Sequence, residues 1–159
     1  MLENYAKCLI QVGLHVKPNQ VVVIQAPVEV YPFVQLLSKE AYLTGARDVI
    51  VRYSDEILSH DRYLYAKDID KVPSYVVDFY NQTAQEEACY LFLVGDDSNL
   101  MKDVDPKKIT NYRKAFRKAT AFYRDQLDFM HCQWCIAAVA TKAWSKQIYG
   151  HEDTHRLWQ

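Results

Sequence analysis

The amino-acid sequence predicts an α/β fold: an open, mainly parallel sheet of about four strands with helices on both faces. Segments with apolar residues at helical spacing alternate along the chain with short apolar runs. These runs are continuous and do not alternate with polar residues, as expected for parallel strands covered on both faces. Four Gly and five Pro in 159 residues are too few for an all-β sandwich or barrel, which needs frequent tight turns.

The first part of the chain is predicted to form two helix–strand units. Residues 2–14 have apolar positions at helical spacing. Residues 21–24 are a β-branched run suited to a central strand, and the Ala-Pro pair shortly after them is expected to end it. Pro32 suits the first turn of the next helix, and Gly45 suits its left-handed C-terminal stop. Residues 48–53 are the second predicted strand.

The middle of the chain is predicted to hold three helices and one strand. Asp55 is expected to cap a short helix, and Pro73 to open another. The third strand is Cys89–Val94, a short apolar run that a Gly-Asp-Asp turn stops. Asp105, followed by proline, is a strong start for a long helix. The core-facing side of that helix is predicted to consist of Ile109, Tyr112, Phe116, Ala119, Tyr123 and Leu127.

The last part of the chain is predicted to supply a fourth strand and a final helix. Residues 134–139 form the strand, and Thr141 caps the helix. We expect residues 1–150 to be a single α/β domain. We expect residues 151–159 to be the start of a following segment that is truncated, because a large apolar side chain such as Trp158 is unusual at a chain end.

The charge and composition of the chain limit which partners it is expected to bind and in which cellular compartment it is expected. A net charge of -1 gives no general attraction to nucleic acid or to a membrane surface. No apolar run approaches the roughly 18 residues that span a bilayer, and the N-terminus lacks the pattern of a signal peptide. The cysteines, Cys8, Cys89, Cys132 and Cys135, are not spaced as a disulfide framework. We therefore expect a cytoplasmic protein with reduced thiols.

Carboxylates follow three of the predicted strands. Asp96 and Asp97 come directly after the third strand, and Glu29 and Asp55 lie just past the first and second. In a parallel sheet all of them meet at one edge, where ligands bind in open α/β folds. They could hold a metal ion, contact a cationic amine, or form the rim of a cleft. The alternative is that they serve only as turn and helix-cap residues.

Two short motifs resemble a zinc site and a redox cysteine pair, but the sequence around each of them argues against that function. His151, Glu152 and His155 match the H-E-x-x-H pattern, which binds zinc when both histidines lie on one helix. Here the motif follows a glycine, which favours a solvated polar turn that leads into a helix. Cys132 and Cys135 form a C-x-x-C that runs into a strand, whereas a redox pair needs its first cysteine at a helix N-terminus. Inert thiols are the favoured interpretation.

The long helix is rich in basic residues. They are Lys107, Lys108, Arg113, Lys114, Arg117, Lys118 and Arg124. The aromatic residues of this helix fall on its predicted buried face and not among the basic ones, which indicates a solvated helix face and not a nucleic-acid groove. No strand is followed by G-x-G-x-x-G or by a P-loop motif, so the phosphate cradle of a nucleotide-binding fold is missing.

Several stretches together resemble one enzyme family. They are residues 22–29, 41–46, 93–97, 104–109 and 134–138 with 143–144. In order along nearly the whole chain, they resemble the N-terminal region of the thermophilic-type metalloaminopeptidases, the aminopeptidase T, aminopeptidase S and PepS group. The departures are small: Ala140 and Gly150 stand where prolines are expected.

The resemblance implies a cytoplasmic exopeptidase that removes N-terminal residues from peptides and is a homodimer as a full-length enzyme. It implies two divalent metal ions, zinc or cobalt, which would lower the pKa of a bridging water. In this family the metal ligands lie in the C-terminal half of a longer chain. No catalytic, cofactor-binding or metal-binding residue is therefore carried onto residues 1–159, and the chain is expected to supply scaffold and cleft wall.

Three hypotheses about function follow from the sequence. The first is an N-terminal fragment of a metalloaminopeptidase, inactive alone, with Glu29, Asp55, Asp96 and Thr141 near the cleft edge. The second is a complete, non-enzymatic α/β domain that binds a small ligand. The third is a minimal zinc hydrolase that uses the H-E-x-x-H residues. Under the first hypothesis, an apolar patch that includes Trp144 and Trp158 should be exposed.

Overall fold

A four-stranded parallel sheet is the centre of the protein in the computed structural model, which describes residues 1–97 and 99–159. Its strands are β1 Val21–Pro27, β2 Asp48–Ser54, β3 Cys89–Val94 and β4 Trp134–Ala138. They lie in the order β2–β1–β3–β4, and each pair of neighbours is parallel. The predicted open, parallel sheet is confirmed.

Eight α-helices within residues 1–97 and 99–159 surround this sheet. They are α1 Leu2–Lys7, α2 Tyr31–Thr44, α3 Glu56–Tyr65, α4 Ser74–Gln85, α5 Pro106–Ala119, α6 Ala121–Asp128, α7 Lys142–Tyr149 and α8 Thr154–Leu157. A π-helix at Cys8–Gly13 follows α1, and a 3-10 helix at Val28–Val30 precedes α2. None of these helices combines the length and the apolar composition that a bilayer-spanning segment requires.

Helices cover both faces of the sheet, so two cores form. On one face, Ile24 and Leu91 pack with residues of α1, the π-helix and α2. On the other face, Tyr90 packs with α4 and α6, and its hydroxyl makes a buried hydrogen bond with the Thr83 hydroxyl, 2.8 Å between the oxygens. The central strands β1 and β3 are buried on both faces, which explains their continuous apolar runs, whereas the edge strands β2 and β4 are mostly half-buried or exposed.

The predicted helix ends are confirmed where a glycine or a capping aspartate determines them. Gly45 closes α2 with φ +104°, a left-handed conformation that favours glycine. Asp55 accepts hydrogen bonds from the backbone N–H groups of Ile57 and Leu58. Asp105 accepts from the N–H of Lys107, next to Pro106 at the first turn of α5.

Three predicted elements have different bounds in the structure. The helix predicted over 2–14 changes into the π-helix at Cys8. The first strand does not stop before the Ala-Pro pair but runs through Pro27. Beyond Gln25, β1 is paired only with β2, so one side of β1 is free and the missing N–H of Pro27 is tolerated.

The predicted long helix after Asp105 is two helices. Thr120 is fully buried and non-helical, and its hydroxyl donates to the carbonyl of Phe116 at 2.8 Å. Such back-bonding competes with the helix and bends it. In α6, Tyr123 and Leu127 are buried as predicted. The predicted face of α5 is half-buried, and its Phe116 packs against the second core.

Candidate functional site

The carboxyl edge of the sheet is where the sequence predicted a cleft rim. The strand order reverses direction at β1. Strand β2 lies on one side of β1, and β3 lies on the other. Open α/β folds bind ligands at such a reversal, outside the carboxyl ends of the strands. The predicted residues Glu29, Asp55, Asp96 and Asp97 all follow this edge.

Two of the predicted carboxylates cap helices. Asp55 is the N-cap of α3, with its Oδ1 atom 2.8 Å from the backbone nitrogen of Ile57. Glu29 Oε2 accepts from the backbone N–H of Lys142 at 3.1 Å, at the start of α7. Thr141 caps the same helix through the N–H of Trp144. For these residues the structure supports the cap interpretation.

The other edge carboxylates lie beside a residue that the sequence reasoning missed, Glu56. Its Oε1 atom accepts from the backbone N–H of Asp97 at 2.8 Å. Burial raises the pKa of Glu56, and the nearby Asp96, Asp97 and Glu29 raise it further, against the lowering effect of the Asp97 N–H. The neighbouring Asp96, Asp97 and Glu29 are the smaller causes of the raised pKa, and they make this edge locally negative.

Replacing Glu56 with glutamine is expected to change the pH dependence of stability. Because the folded pKa of Glu56 is raised, its contribution is present below the unfolded pKa and is lost as pH rises through the folded value. Glutamine stays neutral and can still accept from Asp97. The free energy of unfolding of Glu56→Gln, relative to wild type, should therefore rise between about pH 4 and about pH 7, by less than about 1 kcal/mol because the group is largely solvated.

Urea unfolding of both proteins at the two pH values measures this difference. The control is Glu152→Gln, which neutralises an exposed carboxylate away from this edge and should show no such trend. A Glu56→Gln difference that is equal at both pH values would contradict the expected linkage.

No group of three or more His, Cys, Asp or Glu side chains within residues 1–97 and 99–159 is placed to share a metal ion. The H-E-x-x-H residues do not lie on one helix, because His151 precedes α8, which begins at Thr154. His151 Nδ1 lies 3.1 Å from the carbonyl of Tyr149, and His155 Nε2 lies 3.0 Å from Gln159 Nε2. His151 and Glu152 are exposed and precede α8, which is the arrangement that the solvated-turn interpretation describes.

The C-x-x-C thiols lie in surroundings unsuited to redox chemistry. Cys132 is fully buried, and burial raises the pKa of its thiol to about 11. Burial also raises the pKa of the Cys135 thiol in β4. Reactive cysteines need a lowered thiol pKa. The structure therefore favours inert thiols, as the sequence suggested.

A large cleft lies over the face of the sheet below α3 and α5, and we call it the sheet-face cleft. Its volume is about 1250 Å³. Across its floor the strand register sets Arg52 beside Gln25, Gln25 beside Phe92, and Phe92 beside Ile136. Its rim at the carboxyl edge includes Glu56, Asp96 and Asp97. Of the predicted rim residues, Asp96 and Asp97 line this cleft, and Glu29 and Asp55 are not among its lining residues.

The floor of the cleft was not predicted, although one signal was present in the sequence. Arg52 follows a run of Val and Ile in β2 and shares its face of the sheet with Ile50 and Ser54. A charged residue inside an otherwise apolar parallel strand marks a place where that face is not closed by core packing. Helix α5 lines the cleft with Ile109, Tyr112 and Phe116.

The two tryptophans predicted to be exposed are instead half-buried. The Trp158 ring lies 5.1 Å from that of Phe33 and 6.4 Å from that of Tyr5, between ring centroids. Trp144 Nε1 donates to the carbonyl of Asp96 at 3.0 Å. Both indoles line an apolar groove of about 590 Å³ beside α1 and β4. The predicted apolar surface is therefore a groove whose tryptophans are partly covered, because the chain end folds back onto α1 and α2.

Comparison with known proteins matches the whole chain to one family. The family described as "Thermophilic metalloprotease (M29)" matches residues 1–159. Aminopeptidase 2 of Geobacillus stearothermophilus is 30% identical over 99% of this chain and 40% of its own length. Aminopeptidase PepS of Streptococcus thermophilus is 31% identical over 93% of this chain and 36% of its own length.

A solved structure shares the fold. Wild-type AmpT from Thermus thermophilus superposes with a TM-score of 0.87 at 28% identity, over 99% of this chain and 41% of that chain. This chain therefore spans about 40% of the length of the curated relatives it matches. The family resemblance of the sequence is confirmed: the chain belongs to the thermophilic metalloprotease (M29) family.

Proposed function

We propose that residues 1–159 are the N-terminal scaffold of a metal-dependent aminopeptidase that removes N-terminal residues from peptides. In this proposal the chain supplies one wall of the substrate cleft and is inactive alone. The two divalent metal ions, zinc or cobalt, are held by polypeptide outside residues 1–159, and the full-length enzyme is a homodimer. The observation that carries the proposal is the family match over the whole chain together with its coverage of about 40% of the aminopeptidase relatives.

The geometry of the carboxyl edge supports a scaffold role for this chain, with the metal ions held elsewhere. Its carboxylates accept hydrogen bonds from backbone N–H groups, as Asp55, Glu29 and Glu56 do. The part of the chain that the structure describes offers no metal-sharing group, so no metal-dependent step is assigned to its residues. This edge can form part of the wall of the substrate cleft and place negative charge beside a catalytic centre.

The purified 159-residue chain is expected to release no p-nitroaniline from Leu-p-nitroanilide, with added zinc or cobalt. A chimera that joins this chain to the rest of Aminopeptidase 2 is expected to be active, because the matched regions share one fold. The same remainder without residues 1–159 is the control and should be inactive. Turnover by the 159-residue chain alone would overturn the proposal.

A further inference from the structure

Arg52, on the floor of the sheet-face cleft, is a cation without an anionic partner. None of the ion pairs found within residues 1–97 and 99–159 involves it. Its Nη1 atom is buried and has no hydrogen-bond partner among those residues. A buried guanidinium nitrogen normally has an acceptor, because an unmade hydrogen bond to a charged group is costly. A side-chain hydrogen bond with Tyr80 uses another part of the guanidinium, but Arg52 lines the cleft and has no anionic partner among those residues, so a ligand in the cleft could supply one.

Two aromatic rings fix the orientation of this guanidinium. Its Cζ atom lies 4.8 Å from the ring centroid of Phe79 and 4.8 Å from that of Tyr80. Arg52 also opposes the rise that burial causes in the pKa of Tyr80, and the Tyr80 hydroxyl lies 3.4 Å from Gln25 Oε1. Rings that contact the guanidinium face leave the N–H groups that do not bond Tyr80 for an acceptor such as a carboxylate.

The opposite charge lies at the rim of the same cleft. Glu56, Asp96 and Asp97 line it at the carboxyl edge. Strand β2 ends at Ser54, two residues beyond Arg52, which is about 6.6 Å along a strand. The cleft thus presents one cation on its floor and several carboxylates at its rim, toward the carboxyl end of the same strand.

The other arginines that line the cleft stand on the helices α3, α5 and α6 and not on the sheet. Arg62 stacks on the ring of Tyr112 at 4.3 Å, and Arg124 pairs with Asp128 at 3.6 Å. Arg113 stands on α5, away from the sheet floor. A polyanion such as a nucleotide would meet the repulsion of the rim carboxylates, whereas a molecule with one carboxylate and one ammonium group would meet complementary charges at both ends.

We propose that the sheet-face cleft binds the free ends of a short peptide, with its C-terminal carboxylate on Arg52 and its N-terminal ammonium group toward Glu56 and Asp96. The apolar surface of Phe92 and Ile136 lies between the two ends. The choice of a peptide as ligand rests on the proposed function, whereas the charge pattern does not. In the assembled enzyme, such a site would favour short peptides over long ones.

Direct binding to the purified chain tests the site, by isothermal titration calorimetry with leucyl-leucine. Leucyl-leucine amide lacks the carboxylate, and N-acetyl-leucyl-leucine lacks the ammonium group. We expect saturable binding of leucyl-leucine and at least about tenfold weaker binding of the amide, because hydrogen bonds between charged groups contribute more than a factor of ten. The acetylated peptide should also bind more weakly.

The matched variants are Arg52→Met and Arg52→Lys. Methionine removes the charge but keeps an unbranched side chain that packs well on aromatic rings. We expect Arg52→Met to bind leucyl-leucine at least about tenfold more weakly than wild type and to lose the discrimination against the amide. Arg52→Lys, which keeps the charge without the bidentate edge, should lie between the two. Far-UV circular dichroism and thermal unfolding establish that both variants are folded.

The proposal is overturned if leucyl-leucine does not bind, if the amide binds equally well, or if folded Arg52→Met keeps wild-type affinity. Inorganic phosphate is the competing anion: phosphate that binds at Arg52 more tightly than leucyl-leucine also overturns the assignment to peptides. These measurements need no turnover. A peptidase activity of residues 1–159 would therefore refute the proposed function but would not bear on the peptide-binding site. Absence of leucyl-leucine binding would refute the peptide-binding site but not the proposed function.

Discussion

Replacing Gly95 with alanine is expected to lower the free energy of unfolding by about 3 kcal/mol. Gly95 ends β3 where the chain of β4 turns into α7. A Cβ atom on Gly95 would lie 2.4 Å from Thr141 Cγ2 and 2.9 Å from the carbonyl oxygen of Val139. The Thr141 hydroxyl also donates to the carbonyl of Gly95 at 2.6 Å. The added methyl group must displace this junction, and urea unfolding measures the loss.

A double-mutant cycle shows whether the loss comes from this contact. Thr141→Ser removes Cγ2 but keeps the hydroxyl that accepts from Trp144 and donates to Gly95. In the double variant about 1 kcal/mol or more should be regained, with the clash against Val139 remaining. Gly13→Ala is the matched control, since its Cβ would meet only the Cys135 Sγ atom within 3.1 Å. Additive losses in the cycle would contradict the mechanism.

Much of the fold could be predicted because the turn and capping residues favour the same helices and strands as the pattern of buried residues. Cys89–Val94 has the predicted bounds, since an apolar strand buried on both faces meets a Gly-Asp turn. Gly45 and Asp105 end and begin helices by backbone geometry that the sequence alone specifies. The fully buried Thr120 is different, because a threonine in a helical pattern becomes a break only when the surrounding packing favours its back-bonded geometry.

The candidate site was less predictable than the fold. Glu29, Asp96 and Asp97 were placed at the right edge because parallel strands bring their carboxyl ends together. Their hydrogen bonds could not be predicted, since they join residues far apart in the chain, as Glu29 and Lys142 are. Arg52 was missed for a related reason. Its contacts with Phe79 and Tyr80 of α4 join residues far apart in the chain, and the strand pattern of β2 does not specify them.

The division of the chain at residue 150 stays a prediction, but the segment after it is not detached. Helix α8 carries Trp158 onto the rings of Tyr5 and Phe33, which stack on each other with centroids 5.5 Å apart. The Tyr5 hydroxyl in turn donates to the carbonyl of Ala138 at the end of β4. The chain end is thereby coupled to α1, α2 and the sheet.

Replacing Trp158 with alanine should accordingly lower the free energy of unfolding by about 2 kcal/mol, less than the cost for a fully buried tryptophan because this indole is half-buried. Trp158→Phe keeps an aromatic contact and should retain most of the stability. Trp134→Ala is the control, since that indole is 41% exposed on β4 and should cost less. If Trp158→Ala unfolded at the wild-type urea concentration, the aromatic cluster would contribute nothing, and residues 151–159 would be only loosely attached to the sheet domain.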